Sequence, residues 1–188
     1  MWSLYNETPP YADRDKTLTA MAVYARSLDS TRPITSALNH VRYEGNVITI
    51  DDPICKVLDV AGVNEYLGWY GTWPAKPKDM IWENPYNKPL IMSEFGGEAL
   101  YGQHGSADSN GYWTEERQAQ IYKDQIAMFK NIPFLRGACP WILEDFRSET
   151  RLNPTYQQGW NRKGLLSDKG LKKKAWYVLH NYYRRIGN

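Results

Sequence analysis

Two glutamates, each closing a short apolar run and followed at once by turn residues, are the side chains best placed to do chemistry. Trp2-Ser3-Leu4-Tyr5-Asn6-Glu7 leads into Thr8, Pro9 and Pro10, and Ile91-Met92-Ser93-Glu94-Phe95 leads into Gly96 and Gly97. Carboxyl groups at the ends of two strands can divide the work of cleaving a glycosidic bond. One protonates the leaving oxygen; the other, about 5 Å away in a retaining enzyme, attacks the anomeric carbon. The acid must hold its proton at working pH while the nucleophile stays ionised, and local environment enforces that division.

Composition narrows the alternatives. A chain of 188 residues can bury a sizeable core. Its formal charge of +2 offers no electrostatic footprint for nucleic acid or an anionic membrane. Eight Trp and fourteen Tyr are unusual, and such rings suit stacking on sugars as well as core packing. Cys55 and Cys139 form no disulfide framework and lack metal-ligand spacing, so neither metal nor cofactor is expected. Cys139, inside an apolar run, reads as a buried thiol. No stretch is apolar enough to cross a membrane. The chain opens inside a strand pattern, so its true N-terminus is expected upstream, and the compartment, cytoplasmic or periplasmic, stays open.

The elements that must position the carboxyls alternate between strand and helix, the pattern of a parallel α/β sheet. Strands are predicted at 1–4, 33–38, 60–64, 89–93 and 134–143. A helix over about 14–28 buries Leu18, Met21, Ala22, Ala25 and Leu28 on one face. Asp51-Asp52-Pro53 reads as a short helix start. Thr114-Glu115-Glu116 caps a helix running to about Lys130 on Ala119, Tyr122, Ile126 and Phe129. A last helix carries Ala175, Val178, Leu179, Tyr182 and Ile186. The Lys172–Lys174 run reads as a solvated helix start. Long loops follow Asn39, Tyr66, Gly96 and Phe146, at the end where α/β barrels build active sites.

These motifs, in this order, resemble glycoside hydrolase family 2, the β-glucuronidase and β-galactosidase family. The chain is similar to the last five strand–helix units of that family's catalytic (β/α)8 TIM-barrel domain, a partial barrel spanning 1–188. The resemblance implies that Glu7, after Asn6 at the end of the fourth barrel strand, is the acid/base and that Glu94, ending the seventh, is the nucleophile. It further implies that Asn6 holds the sugar 2-hydroxyl, that Tyr66 hydrogen-bonds the nucleophile, and that Trp141 floors the subsite. Trp69, Tyr70 and Trp73 would be subsite wall or core, and His104 would touch substrate or brace its loop. His40 and His180 look structural. Asn161 and Lys163 match the Asn-x-Lys with which glucuronidases of the family bind a sugar carboxylate. Gln157, where glucuronidases often place an arginine, and the bulky Tyr5 depart from that pattern.

Five strands do not close a barrel of eight. Open edges and an exposed interior, with Trp2, Leu4, Met92 and Cys139 facing it, would leave the chain to self-associate or to join a missing N-terminal barrel half. The expected activity is a retaining exo-β-glycosidase, most simply glucuronidase-like, with a β-galactosidase as the alternative. A non-catalytic carbohydrate-binding or barrel-completing fragment is the reading from another class.

Overall fold

The computed structural model describes residues 1–9 and 11–186 and resolves the chain into two compact units. Pro10, read above as part of the turn after Glu7, lies outside the described residues. The first unit comprises Met1–Glu65, Pro74–Glu94 and Asn131–Cys139; the second comprises Tyr66–Trp73, Phe95–Lys130 and the chain from Pro140 onward.

The first unit is built on β1 (Trp2–Asn6), α1 (Arg14–Leu28), β2 (Ile34–Leu38), β3 (Val41–Glu44), β4 (Val47–Ile50), β5 (Ala61–Asn64), β6 (Ile81–Glu83), β7 (Leu90–Glu94) and β8 (Leu135–Ala138), with β8 following α2 (Glu115–Phe129) in the chain. Five of these strands form one sheet in the order β1-β2-β5-β7-β8, parallel throughout. This is the partial barrel expected from the strand count, with β1 and β8 as its open edges. Strands buried on both faces supply its core. Ile34, Leu38, Ala61, Val63, Leu90 and Met92 are all nearly inaccessible to solvent.

Five expectations are corrected in this unit. The final strand stops at Ala138, short of the expected 143, because Pro140 follows two residues later and has no N–H to give to the ladder. Cys139 is therefore exposed and not buried, whereas Cys55 is buried. Met92 is fully buried, and Trp2 and Leu4 line a groove of about 690 Å³ beside Met21, Tyr24 and Leu28 of α1. That groove explains why α1 buries only Arg14, Leu18 and Ala22, with Met21 and Leu28 exposed. The helix lies against an edge strand, so part of its apolar face has nothing to cover it. Finally, the long loop expected after Asn39 contains regular structure. It forms a hairpin of β3 and β4 across Gly45-Asn46, with Gly45 at φ +59, and β4 pairs in parallel with β6.

The second unit holds α2, β9 (Phe146–Arg147), β10 (Trp160–Asn161) and α3 (Lys174–Ile186). Thr114 caps α2, its Oγ1 accepting from Arg117 N at 3.1 Å, and Ala119, Tyr122, Ile126 and Phe129 are buried as the spacing predicts. Trp69, Trp113 and Ile121 form a core cluster, joined by the partly buried Tyr66 and Tyr156. The solvated lysine run is a further correction. Lys173 is fully buried, donating to Asp145 Oδ1 (2.7 Å), Ala99 O (2.7 Å) and Arg162 O (3.0 Å). Burial pulls its pKa down, with the Asp145 charge opposing. A local run of lysines cannot reveal that one of them answers a buried aspartate distant in sequence.

Candidate active site

In the first unit, Glu7 and Glu94 stand at the same, carboxyl-terminal end of one parallel sheet, the end at which α/β folds place ligands. The ladder is irregular at both positions. The register between β1 and β2 shifts between Ser3 and Asn6, and that between β5 and β7 shifts between Val63 and Asn64. Such bulges re-aim side chains at the rim of a sheet. Glu7 itself takes a left-handed backbone conformation, φ +47, while its N–H still donates to Ala37 O at 2.9 Å. A non-glycine residue held there costs about 1–3 kcal/mol and marks a site that the surroundings over-determine.

Asn64 ties these strand ends together. Its Nδ2 donates to Glu7 Oε1 at 2.8 Å and to Asn6 Oδ1 at 3.0 Å, and its Oδ1 accepts from Ser93 Oγ at 2.8 Å. Asn64 is buried and pairs in register with Glu94, and Glu65 N donates to Glu94 O at 3.0 Å. One amide thus links the residue before each glutamate, and Glu7 itself, across three strands. Sequence reasoning missed Asn64 and Ser93, although Asn64 stands at a strand end in the same position as Asn6.

Tyr5 explains its own departure from the family pattern. Its hydroxyl accepts from Arg14 Nη2 at 2.6 Å, and Arg14 grips the fully buried Asp52 through both guanidinium nitrogens, at 2.6 and 3.0 Å. His40 Nδ1 lies 3.1 Å from Asp52 Oδ2, in keeping with its structural reading. This bidentate pair fastens the edge strand just before Asn6 and Glu7.

The remaining candidates belong to the second unit. Lys163 is buried, and its Nζ donates to Tyr70 Oη at 2.6 Å and Glu98 Oε1 at 3.0 Å. It also sits over the rings of Tyr70 and Tyr66, at 4.7 and 5.4 Å from their centroids. The structure therefore brings Tyr66, Tyr70 and Lys163 together. Asn161 Oδ1 accepts from Lys163 N at 3.0 Å and shapes that turn. Gly164 is obligatory after it, since a Cβ there would lie 2.3 Å from Asp145 N and from Leu166 O. Trp69 is 8 % exposed and edge-on to Trp113, so most of its ring is core. Trp141 meets Phe146 edge-to-face at 6.1 Å, and its peptide bond to Ile142 is cis. His104 is not grouped with the lysine cluster. Its Nδ1 lies 3.1 Å from Glu116 Oε1 on α2, which braces the loop. His180 stacks on Trp176. Glu98 and Arg151, both overlooked in the sequence, complete the cluster. Among the described residues no group of His, Cys, Asp and Glu is arranged to hold a metal ion.

Comparison with known proteins agrees with the fold. A family model described as "Glycosyl hydrolases family 2, TIM barrel domain" matches residues 1–186. A β-glucuronidase from Rattus norvegicus is 30 % identical over 202 residues, covering all of this chain and 29 % of the rat protein. One from Paenibacillus borealis is 29 % identical, again across the whole chain and 31 % of that protein. The chain thus spans under a third of the length of these relatives. Among solved structures, a GH2 β-galacturonidase from Eisenbergiella tayi bound to galacturonate superposes with a TM-score of 0.80 at 23 % identity, covering 98 % of this chain and 33 % of that one. A β-D-glucuronidase from Dictyoglomus thermophilum gives 0.77 at 25 % identity, covering 97 % and 31 %.

Proposed function

Since the chain belongs to glycosyl hydrolases family 2 and carries part of its TIM barrel domain, we propose that it supplies both catalytic carboxyls of a retaining β-glycosidase acting on uronic acid glycosides. The observation that carries this reading is the Asn64 network, which ties Asn6-Glu7 at the end of β1 to Ser93, next to Glu94, at the end of β7. Glu7 gives its proton to the glycosidic oxygen as the bond to the aglycone breaks. Glu94 attacks the anomeric carbon and forms a covalent glycosyl-enzyme. Water, deprotonated by Glu7, then displaces Glu94 with net retention. Asn6 holds the 2-hydroxyl. Tyr66, Tyr70, Trp141, Asn161 and Lys163 contribute to sugar recognition, with Trp69 and His104 supporting their loops.

A β-galactosidase is the second reading, and one observation favours it. The Lys163 ammonium already faces the Glu98 carboxylate, so its charge is answered within the chain. The partner in either case is the remainder of the barrel, joined along the open edge of β1 or β8, or a second copy on those edges.

The test is hydrolysis of chromogenic β-glucuronides, β-galacturonides and β-galactosides by the chain joined to the preceding barrel strands. A 2-deoxy-2-fluoro glycoside should label Glu94, and Glu94→Gln should eliminate turnover. Glu7→Ala should spare substrates whose leaving groups need little protonation. A label on another residue, or product of inverted configuration, would sink the mechanism.

A further inference from the structure

α2 and α3 run side by side in the same direction, because their first turns meet. Lys174 N donates to Glu115 Oε2 at 2.9 Å, and the Lys174 ammonium pairs with Glu116. Further along, the two helices leave a groove of about 620 Å³ between them. Its floor is apolar, with Ile126 and Phe129 from α2 and Val178 and Tyr182 from α3. Its rim carries Lys123, Lys130 and Arg185, and no carboxylate lines it among the described residues. Helix C-termini favour cations, which accounts for Lys130 and Arg185 one at a time. It does not account for the uncovered apolar surface they surround.

Tyr177 and Ile186, both in the groove wall, are 54 % and 62 % exposed. Tyrosine and arginine beside an apolar floor are the side chains that protein interfaces concentrate, and an apolar patch rimmed by charge marks a docking surface. From Lys123 to Lys130 and from Tyr177 to Ile186 the walls extend about 10–14 Å. That length receives about two turns of a third helix, which would seat apolar residues at i, i+3, i+4 and i+7 on the floor. A second copy of this chain does not supply such a helix. A two-fold contact through this groove would set Lys123, Lys130 and Arg185 against themselves. α1, whose apolar face is also partly uncovered, has Asp15 as its sole acid and offers no row of carboxylates.

We infer that the groove between α2 and α3 docks an acidic amphipathic helix of a partner protein. The apolar anchors of that helix rest on Phe129, Val178 and Tyr182, and its carboxylates face Lys123, Lys130 and Arg185. The surface uses none of the residues assigned above to bond cleavage or sugar recognition, so it stands apart from the choice of substrate.

The experiment titrates the 188-residue chain with synthetic peptides of about fifteen residues, long enough to hold a helix, and follows its backbone amides by NMR. One peptide places leucine at i, i+3, i+4 and i+7 with glutamate elsewhere. The second replaces each glutamate by lysine, and the third replaces each leucine by glutamine. The first should shift amides of α2 and α3 and bind at least about tenfold more tightly than the other two, since like charges facing one another across an interface are strongly disfavoured. Lys130→Glu combined with Arg185→Glu, both at exposed positions, should reverse the preference in favour of the lysine peptide. Tyr177→Ser should weaken the acidic peptide without reversing the preference. Equal binding of the three peptides, binding of none, or shifts confined to other elements would overturn the proposal. So would a charge-reversed chain that keeps the original preference. Tighter binding of decanoate in the same groove would replace the helix by a small anionic amphiphile. Dimerisation that Tyr177→Ser abolishes, seen by sedimentation, would replace the partner by a second copy.

Discussion

Gly96→Ala is the substitution whose cost the structure defines most sharply. Gly96 lies two residues after Glu94 at φ +130, a conformation that L side chains rarely adopt. A Cβ there would stand 2.3 Å from Tyr122 Oη and 2.7 Å from Tyr122 Cζ. Neither side can yield easily. Tyr122 is fully buried on α2 and packs edge-to-face on Phe95, with ring centroids 5.5 Å apart, and Phe95 packs on Phe129 at 4.9 Å. Backbone strain of this kind costs about 1–3 kcal/mol, and overpacking a filled core costs about the same again. Together they amount to about 4 kcal/mol, a large share of the 5–15 kcal/mol that typically holds a domain folded. Urea unfolding should show a midpoint lowered accordingly. Tyr122→Phe supplies the control, because the Tyr122 hydroxyl is buried without a hydrogen-bond partner among the described residues. Alone it should be neutral or stabilising by about 1 kcal/mol. Combined with Gly96→Ala it removes the oxygen contact but not the Cζ contact or the strained φ, so about 1–2 kcal/mol should return. An unchanged midpoint for Gly96→Ala would refute the steric argument. A double variant no better than the single one would place the whole cost in the backbone.

Three further perturbations are equally specific. Asn64→Leu removes donors to Asn6 and to the Glu7 carboxylate; losing a bond to a charged group is worth about 1.5–3 kcal/mol, so kcat/KM of the joined enzyme should fall about 10- to 100-fold, and wild-type kinetics would show that Glu7 needs no such support. Burial pushes the Asp52 carboxyl up, but hydrogen bonds from Arg14, Ile54 N and His40 outweigh it and hold its pKa below the ordinary value. A depressed carboxylate stabilises the fold above its unfolded pKa, about 4, and that contribution is lost as pH falls through the folded value. Asp52→Asn should therefore cost about 3 kcal/mol at neutral pH by leaving Arg14 buried and underpaired, and its stability should fall less steeply as pH drops below about 4; parallel acid curves would disprove the role. Burial pushes the Cys55 thiol up to about 12, whereas Cys139 is exposed, so iodoacetamide at mildly alkaline pH should alkylate Cys139 alone until the chain is denatured; labelling of Cys55 in the native chain would contradict its burial.

What could be read from the sequence follows from the range of the forces involved. The five parallel strands and the three long helices were legible because their signals are local: aliphatic runs bounded by turn residues, apolar spacing at 3.6, a threonine cap ahead of two acids. Glu7 and Glu94 were legible for the same reason, since a strand that ends in a carboxylate and turns at once is written in consecutive residues. The hairpin across Gly45-Asn46 was equally local and was overlooked, although a glycine-containing two-residue loop between strand-like runs is a sufficient signal. Asn64, Glu98, Arg151 and Lys173 were illegible on other grounds. Each owes its role to a charge or amide that arrives from a distant segment: Asn64 from β1, Glu98 from Lys163 and Gln157, Arg151 from Tyr70, Lys173 from Asp145. Local composition predicts a solvated lysine because it cannot see the buried aspartate that makes burial tolerable. Met21, Leu28 and Cys139 failed in the opposite sense: their apolar setting is real, but the edge of the sheet leaves nothing to cover them. The strand ends that carry Glu7 and Glu94 are therefore revealed by sequence pattern, while the charges of the loops around Lys163 find one another only when the chain is folded.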